Sequence, residues 1–257
     1  GGTREHGNVL WIDGNGDGRE EPEELTKMAS PIGWITGLCV DSKGDLWAAN
    51  ATTGGCFMRH FHFQGLTAQG APIYSGLMDE GYEDIRFPEE GDKINAWGMA
   101  CRMDYDADRD ILVASYPAVP RTGEGDTSPA QYFFGRYDNW SKGQREPRWK
   151  QRALEPQLNP DFFMYEKNLF PYRGYMGLQI AGDYVFFAYL FGEVHVFELA
   201  TGKLVEILAL GPEVNGQSAW EDAAMGLRAF RRKSGEYLIF TENSGWGGKN
   251  NFFRWQP

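Results

Sequence analysis

Four stretches of the chain are variations on one pattern, and that recurrence limits the fold more than any other feature. Each has an apolar run with a small residue near its start, a tight polar turn, and a second, more apolar run. The copies are Trp34–Asn50 (WITGLCVDSKGDLWAAN), Trp97–Asp104 continued by Ile111–Tyr116, Tyr175–Tyr189 (YMGLQIAGDYVFFAY) and Ala224–Glu242 (AMGLRAFRRKSGEYLIFTE). Gly37, Ala100, Gly177 and Gly226 superpose, at uneven separations that loops of different length would produce. A third run follows each pair, at Cys56–Phe63, Gln131–Tyr137, Glu193–Leu199 and Asn251–Trp255. A fourth is expected around Pro72–Ser75, Arg148–Ala153 and Lys203–Leu208.

Units of four antiparallel strands repeated along a chain imply an all-β architecture, a β-propeller of four-stranded blades. The small residues belong on the innermost strand, where backbones crowd together. The first two strands of each unit are nearly continuous apolar runs, as expected for a sheet covered on both faces. Aromatic residues at 15% and 33 glycines suit such a turn-rich β chain. One propeller domain is expected over residues 1–257, with blade units near 31–79, 94–155, 172–211 and 219–257. Residues 7–30 read as the outer half of a further blade. About four blades are therefore visible, either interlocked into a small ring or forming part of a larger propeller.

The motifs resemble propellers of the NHL and PQQ-like repeat class. Gly44–Asn50 (GDLWAAN) is similar to an NHL second strand, and Gly192–Glu206 (GEVHVFELATGKLVE) to the outer hairpin of a PQQ-like blade. Phe61–Tyr74 (FHFQGLTAQGAPIY) resembles segments of secreted, largely uncharacterised propeller proteins of environmental bacteria. The resemblance implies an extracellular or periplasmic location and a rigid scaffold; it specifies architecture, not activity.

Gly7–Glu24 (GNVLWIDGNGDGREEPEE) carries a second signal. Asp13, Asn15, Asp17, Gly18, Arg19, Glu21 and Glu24 fill positions 1, 3, 5, 6, 7, 9 and 12 of the loop pattern D-x-[DN]-x-[DN]-G-x5-E. Alternating short oxygen-bearing side chains can converge on one hard cation. The carbonyl of Arg19 and the carboxylate of Glu24 would complete the shell. The loop resembles an EF-hand calcium loop in its ligands but not its flanks, because Val9–Ile12 reads as a strand. Ca2+ is the expected cofactor, with a structural role, and Pro22 favours rigidity.

Propeller ligands are expected at the mouth of the central channel. Loops entering the inner strands offer Trp34, Trp97, Tyr172, Arg173, Trp220, Glu221 and Asp222. Positions leaving the second strands offer Asn50, Tyr116, Tyr189 and Glu242, with Trp246 nearby. Flat aromatic rings together with carboxylates and an amide suit a carbohydrate. Glu221, Asp222 and Glu242 also give a candidate carboxylate centre for a glycoside hydrolase. Arg228, on an inner strand with Arg102, could neutralise a uronic acid in a polysaccharide lyase, or pair with Asp222. The alternative to both is a structural or protein-interaction propeller.

Several classes are excluded or disfavoured. A net charge of −11 argues against nucleic acid and anionic membranes as partners. No apolar run reaches spanning length. Cys39, Cys56 and Cys101 lack C-x-x-C spacing, and no P-loop, dinucleotide turn or nucleophile elbow is present. His60 and His62 point the same way on a strand, with His195 on the equivalent strand of another unit. An H-x-H pair can bind a transition metal, but third strands lie far from the axis and no third ligand is near in sequence, so all three read as separate surface residues. Asp104, Asp106, Asp108 and Asp110 alternate, but Arg109 stands where a calcium loop needs glycine, so a solvated turn is expected, with a weak second calcium site as the alternative. Pro117–Pro129 reads as a long exposed loop.

Overall fold

The structure, a computed structural model, describes residues 9–27, 34–52, 55–74, 85–86, 102–118, 131–154, 175–189, 193–209, 226–243 and 249–257. The chain opens with a hairpin of β1 (Val9–Trp11) and β2 (Leu25–Lys27), pairing Val9 with Lys27 and Trp11 with Leu25 around the acidic loop. The first unit comprises β3 (Trp34–Val40), β4 (Leu46–Thr52) and β5 (Gly55–Phe61). A separate hairpin follows, β6 (Phe63–Leu66) with β7 (Pro72–Tyr74), and then β8 (Ile85–Arg86). The second unit is β9 (Arg102–Asp106), β10 (Ile111–Ala118), β11 (Gln131–Asp138) and β12 (Pro147–Arg152). The third is β13 (Tyr175–Ala181), β14 (Tyr184–Tyr189), β15 (Glu193–Glu198) and β16 (Leu204–Ala209). The fourth has β17 (Leu227–Arg231), β18 (Tyr237–Asn243) and β19 (Lys249–Trp255). No α-helix occurs among the described residues.

The units are antiparallel meanders in chain order, β9-β10-β11-β12, β13-β14-β15-β16 and β17-β18-β19. The first departs from expectation. Its fourth strand is β8, not the segment around Pro72, giving the order β3-β4-β5-β8. Asp45 accepts the Phe63 backbone N–H at 2.8 Å, and Gly65 adopts φ +125° in a register shift between β6 and β7. The chain thus leaves the sheet just after Phe61 and folds into a two-stranded flap.

Burial follows from sheet stacking. In β14, Val185–Tyr189 are buried without interruption, and β10 buries Ile111–Ser115, because neighbouring sheets cover both faces. The outer strand β12 alternates half-buried and exposed residues. One core joins units one and two through Trp47, Met58, Met103, Leu112 and Trp140. A second joins two and three through Phe134, Tyr175, Phe187 and Phe197. A third joins three and four through Phe186, Val196, Tyr237 and Trp255. Each fully buried Phe contributes roughly 1.5–3 kcal/mol relative to exposure. These cores lie between sheets, so each unit depends on its neighbour. The first strands lie side by side, β3 next to β9, β9 next to β13 and β13 next to β17. Four-stranded meanders fanned about their first strands are propeller blades.

The last unit carries an apolar outer surface. Phe230, Phe240 and Phe252 are 54%, 40% and 52% exposed, and the Phe240 and Phe252 rings lie 4.9 Å apart. On the first unit Leu38 and Val40 are also exposed.

Crowding near the axis shows at Gly177, where a Cβ would meet the Leu227 Cβ at 2.7 Å and the Ala188 Cβ at 3.3 Å. Neither atom belongs to a flexible side-chain end. Gly177→Val should therefore destabilise the protein by about 1–3 kcal/mol through overpacking. The check is a lowered urea midpoint at an unchanged denaturant slope.

Candidate functional site

The four first strands converge on one cavity of about 420 Å3. Its wall takes Ile35 and Leu38 from β3, Arg102 and Met103 from β9, Leu178 from β13, and Leu227 and Arg228 from β17. Gly37 and Gly177 let backbone form part of the lining. The wall is mainly apolar, and its two charged residues are both arginines.

Arg228 is exposed; its guanidinium donates to Gln179 Oε1 at 3.1 Å and to the carbonyl of the preceding residue, Leu227. Gln179 in turn donates from Nε2 to Asp104 Oδ2 at 2.7 Å, and the Ile180 backbone N–H donates to the same oxygen at 2.7 Å. This chain links β9, β13 and β17 behind the cavity. Burial pushes the Asp104 carboxyl up to about 6, although the Ile180 N–H, the Arg228 charge and Gln179 all favour its ionised form. Arg102 is 3% exposed and Arg228 faces solvent, so the cavity presents one sheltered and one open cation.

The acidic loop is a hook of local hydrogen bonds. Asp13 accepts the Gly16 and Gly18 N–H groups at 2.6 and 3.0 Å. Asn15 Oδ1 accepts Asp17 N–H, and Asp17 Oδ1 accepts Arg19 N–H, both at 2.8 Å. Glu24 receives Gly14 N–H at 2.7 Å on one oxygen and the Trp11 indole N–H at 2.9 Å on the other. Gly18 sits at φ +72°, which glycine adopts without strain. The Trp11 bond and the backbone N–H groups hold the Glu24 carboxyl below its ordinary range, against some desolvation. Glu21 moves the other way, raised by desolvation and then by crowding from Asp17, Glu24, Glu23 and Asp13.

The remaining sequence candidates divide by position. Trp97, Tyr172, Arg173, Trp220, Glu221, Asp222 and Trp246 lie outside the described residues. Trp34 opens β3; Asn50, Tyr116 and Glu242 lie in the last halves of β4, β10 and β18, where their backbones pair with Ile35, Phe133 and Asn250. Tyr189 closes β14 and is fully buried, so it packs inside the sheet stack instead of facing a channel mouth. Most of the loop predicted at Pro117–Pro129 lies outside the described residues, and Pro117 continues β10. Asp106 accepts the Asp108 and Arg109 N–H groups in a tight turn, as expected there.

The three histidines are not separate surface residues. His195 is fully buried, with Nε2 at 2.8 Å from Glu193 Oε2 and Nδ1 at 2.9 Å from the Tyr175 hydroxyl. In the neutral tautomer the imidazole N–H donates to Glu193 and the tyrosine donates to Nδ1, satisfying the polar groups of a closed core network. His60 and His62 meet at one carboxylate, Asp45, which sequence reading passed over. Its signal was the hairpin register: Leu46 pairs with Phe61 and Trp47 with His60, so the residue before Leu46 must lie beside His62. Among the described residues this is the cluster of His and carboxylate groups whose ligand atoms all lie within 4.8 Å of one another; the acidic loop does not bring its carboxylates that close.

No protein-family model and no curated protein sequence matches the chain. Solved structures are similar only at low identity. The β-propeller domain of Cps50 (Swd1) from Myceliophteria thermophila shares 13% identity at a TM-score of 0.39, covering 98% of this chain and 68% of that one. BamB from Moraxella catarrhalis shares 13% at 0.36, covering 88% and 63%. The quinohemoprotein alcohol dehydrogenase ADHIIG from Pseudomonas putida HK5 shares 12% at 0.37; the match covers 82% of this chain and only 34% of the enzyme. The propeller assignment rests on the chain's own sheets, not on these likenesses.

The buried carboxyl behind the cavity has a measurable consequence. Its folded pKa lies above the ordinary aspartate value of 3.8, so folding favours the protonated form. Stability from this group is complete below about pH 4 and is lost as pH rises through about 6. Asp104→Asn keeps an oxygen acceptor for Gln179 and Ile180 without the charge. The variant should gain on the wild type by about 2 kcal/mol between pH 4 and pH 7, read from urea unfolding at both values.

Proposed function

We propose that this chain is a ligand-binding propeller module whose central cavity takes a carbohydrate bearing carboxylates, such as a uronate oligosaccharide. The observation that carries the reading is the wall shared by all four first strands, apolar except for Arg102 and Arg228. An apolar cavity with two guanidinium groups suits the C–H faces of a sugar ring combined with its carboxylate. A secreted setting fits such a ligand and the resemblance of the repeats.

The acidic loop supports a second part of the reading, a calcium ion that fixes the β1–β2 hairpin. Desolvation raises the Glu21 carboxyl first and the neighbouring Asp17, Glu24, Glu23 and Asp13 add to it, and a divalent cation would relieve that second, electrostatic part. Oxygens of Asp13, Asn15 and Asp17 that now accept backbone N–H groups keep lone pairs for an ion. The carboxylates would have to turn inward to close the shell with Glu24 and the Arg19 carbonyl.

A protein-interaction role is favoured instead by the exposed Phe230–Phe240–Phe252 surface, since aromatic rings gathered on one sheet face suit a partner protein.

Calorimetry with a uronate oligosaccharide and a neutral one of equal length separates these readings. Only the uronate should bind. Arg228→Ala should weaken it roughly 10- to 100-fold, the loss of one charged hydrogen bond. No binding of either sugar would dismiss the carbohydrate reading and leave the aromatic surface as the site of function. Release of shorter products from the uronate would turn the module into an enzyme. Separately, a chelator should lower the melting temperature, and Asp13→Ala should remove that response. A melt indifferent to chelator would contradict the calcium reading.

A further inference from the structure

At the seam between units one and two, the turn Asp41–Asp45 of the β3–β4 hairpin faces the end of β5. Asp45 Oδ2 lies 2.7 Å from His60 Nε2 and 3.2 Å from His62 Nδ1. We propose that Asp45, His60 and His62 bind a first-row divalent cation, zinc foremost, with one coordination position left open to the adjoining cavity.

The donor set selects the metal class. Two imidazole nitrogens and one carboxylate oxygen suit zinc and its borderline neighbours, whereas calcium and magnesium take all-oxygen shells. The site therefore differs in chemistry from the acidic loop. A tetrahedral zinc with ligand bonds near 2.0–2.1 Å holds its ligand atoms about 3.3 Å apart. The 2.7 and 3.2 Å separations lie near that edge length, so the metal enters with small side-chain adjustments. Without it, both imidazoles serve as donors to the same carboxylate oxygen.

The ligands are fixed by groups that do not ligate. Asp45 Oδ1 accepts the Phe63 N–H at 2.8 Å, which leaves Oδ2 for the histidines. Asp41 accepts the Lys43 and Asp45 N–H groups on one oxygen and the Trp47 indole N–H on the other, tying the turn to the strand. The His60 ring stacks flat on Trp47, with centroids 3.7 Å apart and planes 10° apart. The His60 and His62 rings meet edge to face at 4.2 Å. One acidic side chain, Asp41, thus holds both the turn that carries Asp45 and the Trp47 ring on which His60 stacks.

An adjacent space supports the open position. A cavity of about 230 Å3 borders Asp45, His60 and His62, with Lys43, Tyr105 and Ser141 on its other sides. Tyr105 and Ser141 come from the second unit, and Ser42 Oγ donates across the seam to Asp108 at 2.9 Å. Three protein ligands with a sheltered fourth position are the pattern of zinc sites that bind water or a small anion.

The test is zinc chloride titration of tag-free, metal-stripped protein in excess calcium, which keeps the acidic loop from competing. One zinc per chain should bind saturably. His62→Ala and Asp45→Asn should each lower affinity at least tenfold, while Lys43→Ala, which changes the cavity but no ligand, should leave it within twofold. His62 is about half exposed, so its truncation should spare the fold, with circular dichroism as the check. Cobalt in place of zinc should give visible absorption bands that His62→Ala removes. Absence of saturable zinc binding, or binding unchanged in His62→Ala, overturns the proposal.

Discussion

The interaction on which this structure depends is the packing of one sheet face on the next. The second strands are apolar on both sides; Phe186 and Phe187, adjacent in β14, point into two different cores, one shared with unit four and one with unit two. A sheet of this kind cannot shelter itself, because its alternating side chains emerge on opposite faces. Stacking is therefore obligatory, and the right-handed twist of each sheet turns the stack into a fan. Where the fan narrows, side chains run out of room. Gly177 meets Leu227 there, and the space between the first strands is left as the cavity that Arg102 and Arg228 line.

What was legible in the sequence follows from that constraint. Continuous apolar runs broken by Gly-Asp and Lys-Gly turns specify buried strands, and β9–β10 and β13–β14 lie close to where the repeat puts them. In the third copy the small residue, Gly177, sits where only backbone fits, against the Leu227 and Ala188 Cβ atoms. Less legible was anything set by register. The flap β6–β7 resembled an outer strand pair, but the bond from the Phe63 N–H to Asp45 lifts it out of the sheet. That bond is invisible in a window of sequence, since its partners are 18 positions apart. Aromatic residues near strand ends gave the weakest guide. Tyr189 looks the same in sequence whether it faces a ligand or a neighbouring sheet, and here the sheet has it.

The same limit explains the histidines. An H-x-H spacing fixes only that two rings share a strand face. What the rings meet is decided by the hairpin opposite. At His60 and His62 it is a short β3–β4 turn ending in Asp45, at the protein surface. At His195 it is the interior of unit three, where Glu193 lies two residues away on the same face and Tyr175 reaches over from β13.

These two imidazole–carboxylate clusters share their chemistry and differ in what surrounds them. Around His195 every direction is filled: Tyr175, Tyr189, Phe197 and Glu193 are all at most 2% exposed, and the imidazole is bonded to Glu193 on one nitrogen and to Tyr175 on the other. Such a network holds unit three together, and nothing can enter without breaking it. Around Asp45 the second imidazole is half exposed, a cavity adjoins the donors, and the supporting bonds come from Asp41 and Phe63, which would not ligate. The turn is held there by bonds other than the two imidazole–carboxylate ones. Polar groups that can release their partners without loosening the fold are available to a ligand, and by that criterion the seam between the first two units, not the buried relay of the third, is where this chain is chemically open.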